Sequence, residues 1–308
     1  MSESPESFFA GLLLFGLLAG AVAFTGARAR AVLLPGWLGA PGFLISAIIS
    51  LSVLLVEASL LGALGLLDSW TVVALAVAVA FLVWLRPRPP LGPPTGPPAR
   101  VALGFGAGLA ATAFAALTVA QWGSFGSLSL DFGVTNFDSV WYHLPFSAEF
   151  ARVGTIFTDF RPETVFLNWF YPFNSELFHA VGMSVTGRDF LSLFVNYGWL
   201  ALGLLAAWVA GRPWGRPHLS LGLASVVFAA HMLVVREPGT AKNDIMAISL
   251  VLAAVAVLIS SAGNGAGRGR VATGPPLVVV GLALGMAAGT KVTVLPLAVF
   301  VGLAGVLA

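Results

Sequence analysis

The residues best suited to acid–base chemistry lie in the middle of this 308-residue chain, where seven of the thirteen acidic residues fall within 131–189. Asp138 opens the motif DSVWYHLP, and Glu176 lies in the later motif PFNSEL. A carboxylate can act there as a general base that takes a proton from a hydroxyl group. Tyr142, at i+4, shares the helical face of Asp138, whereas His143, at i+5, does not. The structural alternatives are a helix cap for Asp138, a capping-box acid for Glu176, an interfacial anchor for Tyr142 and a packed histidine for His143.

The chain has only two lysines, and both adjoin apolar stretches. Lys242 and Asp244 belong to the motif AKND, and Lys291 belongs to AAGTKVTVLPL. An ionisable group at membrane depth is costly, so Lys291 is a functional candidate. The structural alternatives are a snorkelling Lys242 with Asp244 as a helix cap, and for Lys291 a mere break between two short helices.

The composition indicates that lipid covers much of this chain. Hydrophobic residues make up 58% of it and charged residues only 9%, with a mean hydropathy of +0.95, whereas soluble domains carry about 25% charged residues. We therefore predict an all-α, polytopic transmembrane helical bundle in a lipid bilayer. The net charge of +2 without a basic block predicts no nucleic-acid partner, and the absence of cysteine excludes thiolate metal sites. The sequence predicts no cofactor and no metal.

The bundle is predicted to have about eight or nine spans, because one span needs about 20 apolar residues. The predicted spans are Phe8–Ala27, Phe43–Leu67, Trp70–Leu85, Val101–Trp122, Phe190–Ala210, Leu219–Val235, Ile245–Ser261 and a region from Pro276 onward. The chain stops at Ala308 inside an apolar run, which we interpret as a truncation of a longer protein at its C-terminus.

Arginine placement predicts the orientation of these spans. Nine arginines and no acidic residue fall in four alternate loops, which the positive-inside rule places in the cytoplasm. The intervening loops, including the long loop 123–188, then face outward. We predict a three-span N-terminal extension (1–85), a Pro-rich cytoplasmic linker (86–100) and a catalytic portion (101–308) that holds all the motifs above.

The outer loop is predicted to contain two amphipathic helices that lie against the membrane. The stretch DSVWYHLPFSAEFARVG alternates apolar and polar residues near the helical period and is rich in aromatic rings, which is typical of interfacial helices. A second helix is predicted over Asn174–Val185, with Asn174 as its N-cap.

Four motifs in this order resemble bacterial membrane glycosyltransferases of the GT-C superfamily, in the group related to the protein mannosyltransferases. The motifs are DSVWYHLP (Asp138–Pro145), FYPFNSELF (Phe170–Phe178), AKND (Ala241–Asp244) and AAGTKVTVLPL (Ala287–Leu297). The resemblance runs from about residue 101 to the end. Many members carry a second acid beside the position of Asp138, where this chain has Ser139, and this departure argues against a divalent cation.

The resemblance implies inverting transfer of a sugar from a polyprenyl-phosphate carrier to a lipid, glycan or protein acceptor, with the active site facing outward from the bacterial cytoplasmic membrane. It implies that Asp138 is the general base. The candidate substrate-binding residues for such a reaction are Tyr142, His143, Glu176, Lys242, Asp244 and Lys291. We expect Asp138 and the two lysines to converge on one outward cavity of about 300–1,000 Å³.

Two other classes of function compete with this prediction. The first is a transporter or flippase for lipid-linked saccharides, and the second is a non-catalytic polytopic subunit that binds a partner through the outer loop. A transporter is expected to carry charged residues near the bilayer midplane and paired broken helices. The clustering of charges in one outer loop favours the enzyme.

Overall fold

The computed structural model describes residues 5–87, 104–160, 168–262 and 274–307, and all the regular structure in these ranges is helical. The α-helices are α1 Pro5–Leu33, α2 Gly39–Leu64, α3 Ser69–Trp84, α4 Phe105–Phe132, α5 Leu144–Val153, α6 Asn174–Thr186, α7 Ser192–Gly211, α8 Pro217–Phe228, α9 His231–Arg236, α10 Asp244–Ala262, α11 Pro275–Ala288 and α12 Leu295–Leu307. The predicted all-α fold is therefore confirmed for the described residues.

Four helical segments among these residues are long and apolar enough to cross a membrane by length and composition. They are Ser7–Leu33, Gly39–Leu64, Asp189–Trp214 and Asp244–Ala262. Shorter apolar helices occupy Ser69–Trp84, Pro217–Phe228, Pro275–Ala288 and Val292–Leu307. Large apolar side chains such as Leu13 and Phe300 are more than two-thirds exposed, as expected of helices that face lipid. A membrane protein is thus supported, while the expected eight or nine spans remain a prediction.

Close helix crossings at small residues hold the bundle together. A Cβ atom on Gly26 of α1 would lie 2.1 Å from the Ser50 hydroxyl of α2, and one on Gly203 of α7 would lie 2.7 Å from the Ser249 hydroxyl of α10. Lipid chains are as apolar as leucine, so helices in a membrane associate largely through such close packing. Alanine at either glycine would force the helices apart.

The pair of helices α1 and α2 has an arginine-bearing end and, opposite to it, an end that adjoins the loop 123–188. At one end, the Arg28 guanidinium donates to the carbonyl oxygen of Arg86 at 2.7 Å. At the other, the Leu67 N–H donates to the carbonyl oxygen of Gly154, just after α5, at 2.9 Å. This arrangement agrees with the alternation of loops in the sequence. The side of the membrane on which each end lies remains a prediction.

Two predicted spans differ from the observed helices. The predicted span Leu219–Val235 is broken between α8 and α9, where Ala230 adopts an extended conformation. At this break, the Trp122 indole N–H donates to the carbonyl oxygen of Phe228 at 2.9 Å, a group that the end of α8 leaves without a helical partner. The predicted span Val101–Trp122 starts outside the described residues, and its helix, α4, continues ten residues beyond Trp122 to Phe132.

The expected N-terminal extension, α1–α3, packs against the rest of the bundle. All three of its helices contact α6, and α2 also contacts α7, α10 and α11. Helix α6 is buried along most of its length, because it lies between the extension and α5. The Pro-rich linker predicted at 86–100 lies almost wholly outside the described residues.

Candidate active site

Asp138 stands immediately before a single π-helical turn, Ser139–His143, which runs directly into α5. The capping alternative for Asp138 does not hold, since its side chain makes no cap hydrogen bond. The Asn136 side chain caps the turn instead, accepting from the Ser139 N–H at 3.3 Å. The Asp138 carboxylate is consequently free to face the loop before α10.

Both lysines meet aspartates at this point. The Lys242 ammonium donates to Asp138 Oδ2 at 2.6 Å and lies 3.9 Å from Asp244 Oδ2. The Lys291 ammonium pairs with Asp244 Oδ1. We call these four residues the ion cluster. It joins three segments that are far apart in the sequence, and the sequence-predicted residues Asp138, Lys242, Asp244 and Lys291 are all members.

The ion cluster is open to its surroundings. The side chains of Asp138, Asp244 and Lys291 are 33–35% exposed, and that of Lys242 is 12% exposed. Partly exposed ion pairs contribute little to stability, typically about 0–1 kcal/mol. A ligand with charges of its own can therefore exchange partners with the cluster at small cost.

A buried amide fixes the loop that carries Lys242. The Asn196 side-chain NH₂ of α7 lies 2.9, 3.2 and 3.0 Å from the carbonyl oxygens of Glu237, Thr240 and Lys242. The chain turns at Gly239, whose φ of +64° favours glycine. The loop conformation is thus set by side chains outside the loop, and the Lys242 ammonium is positioned before any ligand arrives.

Two further contacts tie this loop to the other parts of the cluster. The Ala241 N–H donates to the Ser139 hydroxyl at 3.0 Å, which holds the loop against the π turn. The Asn243 side chain donates to the carbonyl oxygen of Thr290 at 3.1 Å, which holds it against the segment of Lys291. Ser139 is therefore a structural hydrogen-bonding partner at this site.

Lys291 lies in a break between α11 and α12, which is the structural alternative considered for it in the sequence analysis. Its ammonium group also pairs with Asp244. Asn174 fixes this break from the outer loop, because its side chain donates to the carbonyl oxygen of Met286 at 3.2 Å and its N–H to that of Gly289 at 3.1 Å. Asn174 is the first residue of α6, and Phe173 occupies the N-cap position. The prediction of Asn174 as N-cap is therefore wrong, and its side chain joins α6 to α11 instead.

Glu237 is a member of the site that sequence reasoning missed. It is 1% exposed, and its Oε2 accepts from the Ile245 N–H at 3.2 Å. Burial, aided by the negative charge of Asp244, raises the pKa of Glu237 to about 8. The available signal was its place in the turn-forming sequence Glu-Pro-Gly, which ends one residue before AKND.

His143 and Glu176 form a second contact, closed to solvent, which we call the buried pair. His143 Nδ1 is hydrogen-bonded to Glu176 Oε1, and the two side chains are 3% and 5% exposed. The capping-box alternative for Glu176 is not observed. His179, one turn further along α6, is fully buried, and no described group bonds either of its ring nitrogens. Burial lowers the pKa of His179 to about 3, with a smaller effect from His143.

Tyr142 lies between the ion cluster and the buried pair. Its ring centroid is 4.0 Å from that of His143 and 5.9 Å from that of Tyr171. Burial raises the pKa of Tyr142, and the charges of Asp138 and Glu176 add to the effect. The phenol consequently remains a hydrogen-bond donor at neutral pH.

An aromatic cavity of about 220 Å³ adjoins Tyr142 and Glu176. Eight of its thirteen lining residues are aromatic, among them Trp169 and Tyr171. Asn168 also lines it, and no described group bonds either polar atom of this buried amide. The cavity is smaller than the 300–1,000 Å³ expected, and it is lined by neither Asp138 nor the lysines.

The described residues contain no group of three or more His, Cys, Asp or Glu side chains arranged to hold a metal ion. The two ammonium groups of the ion cluster also oppose a divalent cation at its two aspartates. The arrangement is better suited to an anion.

Comparison with known proteins gives no relative: no protein family, curated protein or solved structure matches the chain. The resemblance to GT-C glycosyltransferases therefore remains a prediction from the four motifs.

Proposed function

We propose that the protein transfers a sugar, with inversion, from a polyprenyl-phosphate carrier to an acceptor hydroxyl at the outer face of the bacterial cytoplasmic membrane. The observation that carries the proposal is the contact of Asp138 with Lys242 inside the ion cluster. A carboxylate able to take a proton thereby stands beside two cations able to hold a phosphate, at the ends of apolar helices.

The chemistry of the proposed reaction needs these groups and few others. The acceptor oxygen attacks the anomeric carbon, the bond from that carbon to the phosphate oxygen breaks, and the phosphate leaves with the electron pair. Asp138 takes the acceptor proton, a role that contributes about 10²–10⁴-fold. Lys242 and Lys291 stabilise the charge on the departing phosphate. No acid is required, because the phosphate leaves as an anion.

The pairing in the ion cluster suggests how substrate activates the base. Lys242 holds Asp138 in the absence of ligand. A carrier phosphate that binds the Lys242 ammonium replaces Asp138 as its partner. The Asp138 carboxylate can then accept a hydrogen bond from the acceptor hydroxyl. Asp244 keeps Lys291 in place from the other side.

The aromatic cavity is the proposed site of the sugar ring. The apolar C–H face of a pyranose packs against aromatic rings, while Tyr142, Asn168 and Glu176 supply polar groups for its hydroxyls. A binding site commonly combines an apolar wall with a few such polar groups. The volume of about 220 Å³ is suited to one sugar ring rather than to a polyprenyl chain.

A transporter or flippase for lipid-linked saccharides is the second candidate, and one observation favours it. Helices α8/α9 and α11/α12 are interrupted, and paired broken helices are typical of transporters. The ion cluster, however, lies at the start of α10, and its members Asp138, Lys242 and Lys291 lie outside the α-helices. Charged groups at helix ends favour sugar transfer over transport across the membrane.

The test is Asp138→Asn in the complete protein, purified and assayed with defined polyprenyl-phosphate sugars. We expect transfer to fall by about 10²–10⁴-fold with normal insertion, while Asp131→Asn, the same change at an exposed acid of α4, retains activity. Full transfer by Asp138→Asn removes Asp138 as the base. Movement of the lipid-linked sugar across the membrane without any transfer establishes the second candidate instead.

A further inference from the structure

The starting observation is a pair of apolar grooves that meet at one arginine. The larger groove, of about 950 Å³, lies between the first half of α4 and α8, and the smaller groove, of about 430 Å³, lies between the end of α7 and α8. Arg216 lines both grooves, and so do Trp214, Leu219 and Leu223. Both volumes fall within the range of about 300–1,000 Å³ that is usual for ligand sites. The arrangement suits a molecule with one charged head and two apolar chains.

The larger groove exists because α4 presents small side chains to α8. Three alanines line it from α4: Ala107, Ala110 and Ala111. Further along, the two helices are joined, since the Thr118 hydroxyl donates to the carbonyl oxygen of Ser225 at 3.0 Å. The open part of the groove therefore lies at the end that carries Arg216.

A fixed turn between α7 and α8 carries Arg216. Gly215 adopts a φ of +67°, which favours glycine, and the Arg216 N–H donates to the carbonyl oxygen of Gly211 at 3.0 Å. On the other side of the turn, the Ser220 hydroxyl donates to the carbonyl oxygen of Ala207 at 2.6 Å. The guanidinium group therefore extends from a backbone that is held on both sides.

The charge where the grooves meet is positive and unbalanced. Neither groove is lined by an acidic residue, and no described carboxylate pairs with Arg216. The Nε atom of the neighbouring Arg212 is buried and has no hydrogen-bond partner among the described residues. Arginine holds phosphate through parallel N–H···O bonds, so the site favours an anion. The ammonium group of a zwitterionic lipid would find no carboxylate among the lining residues.

A histidine without a partner points to a ligand independently of the arginines. His218 lines the larger groove and is 9% exposed, and no described group bonds its Nδ1. A buried polar atom without a partner is costly. No side chain caps the start of α8 either, so N–H groups of its first turn are open to a phosphate oxygen.

We propose that the two grooves bind one anionic glycerophospholipid of the surrounding bilayer, with its phosphate at Arg216 and one acyl chain in each groove. Two chains distinguish such a lipid from a polyprenyl phosphate, which has one. Basic pockets between membrane helices take acidic lipid headgroups in other proteins. Trp214 is 65% exposed and lies where an interfacial tryptophan contacts headgroups. The grooves share no residue with the ion cluster, and the inference does not depend on sugar transfer.

The experiment measures lipid binding to the full chain in detergent micelles by native mass spectrometry. Dioleoyl phosphatidylglycerol is expected to bind about tenfold more tightly than dioleoyl phosphatidylcholine, because only the second brings an unpaired cation to the arginine. Arg216→Gln should abolish this preference. Ala110→Trp, which fills the larger groove and keeps the charge, should weaken the binding of phosphatidylglycerol.

The matched control is Arg86→Gln, which removes an exposed arginine at the end of α3 and should keep the preference. Equal affinity for the two lipids, or a preference that survives Arg216→Gln, overturns the inference. Equal binding of single-chain lysophosphatidylglycerol overturns the placing of one chain in each groove. Tighter binding of a polyprenyl phosphate than of phosphatidylglycerol at these grooves assigns them to the carrier instead.

A second measurement does not depend on the variants folding. Phosphatidylglycerol with a photoreactive group on its acyl chains should label the segments 107–114 and 218–226 of the unmodified protein, which line the larger groove. Unlabelled phosphatidylglycerol should suppress this labelling, and phosphatidylcholine at the same concentration should not. Labelling spread evenly over the apolar helices contradicts a specific site.

Discussion

The ion cluster and the buried pair each take one residue from the short segment Asp138–His143, yet they differ in solvent access and in the partners available to them. Asp138 in the first is about one-third exposed, and the cations around it can change partners. Glu176 in the second is 5% exposed, and its one side-chain partner among the described residues is His143. A charged pair that is open can respond to a ligand, whereas a closed pair stabilises the helices that carry it. We therefore expect changes in the ion cluster to affect activity and changes in the buried pair to affect stability.

The largest effect is expected for Glu176→Leu. It leaves the buried His143 side chain without its hydrogen-bonding partner, which costs about 1–3 kcal/mol. Unfolding of the purified protein in detergent should show the loss. The double variant Glu176→Leu/His143→Leu should be more stable than the sum of the single changes predicts. Additive losses would mean that the two side chains do not act as a pair.

The opposite result is expected for Lys291→Met. The half-buried lysine contributes about 1 kcal/mol or less to stability, but loss of one cation at the phosphate should reduce transfer about 100-fold. Parallel assays of sugar transfer and of thermal unfolding separate the two effects. Equal losses of stability in Lys291→Met and Glu176→Leu would remove the distinction between the two regions.

The buried pair is also expected to be sensitive to acid through its neighbour His179. The pKa of His179 is lowered to about 3 in the folded protein, so the unfolded chain binds a proton below pH 6.5 while the folded one does not. Stability is therefore lost as the pH falls, by about 2 kcal/mol between pH 6.5 and pH 5. His179→Phe should flatten this part of the stability profile. An unchanged profile would assign the acid sensitivity to another group.

The smallest effect is expected for Asn196→Ala. It removes the donor shared by three buried carbonyl oxygens, at a cost of about 1–2 kcal/mol, and loosens the loop of Lys242. Carrier binding should weaken more than the unfolding free energy falls. Ser220→Ala, which removes a side-chain hydrogen bond between α8 and α7 far from the cluster, provides the comparison.

Four members of the candidate site could be chosen from the sequence, because charged residue types and the ends of apolar runs can both be read from it. Long apolar runs gave most of the helices, and the scarcity of lysine singled out Lys242 and Lys291. The positions of these residues beside apolar runs placed them at helix ends where they can meet Asp138.

Other features were not readable because they depend on burial and on long-range contacts. Glu237 has an ordinary place in a loop, and only the fold shows that it is enclosed. Asn196 and Asn174 act through carbonyl oxygens, which carry no sequence signature. The carbonyl oxygen at the end of α8 is bonded by Trp122, a residue more than 100 positions away.

The packing of α1–α3 on α6 has a consequence for how the protein is made. These three helices emerge from the ribosome before α6, and domains form in the order of synthesis. The surface that receives α6 is consequently inserted before Glu176 and Asn174 have been translated. A shortened gene that starts at α4 would remove the helices on which α6 packs. Helix α6 would then lose the support that aligns Asn174 with the segment of Lys291.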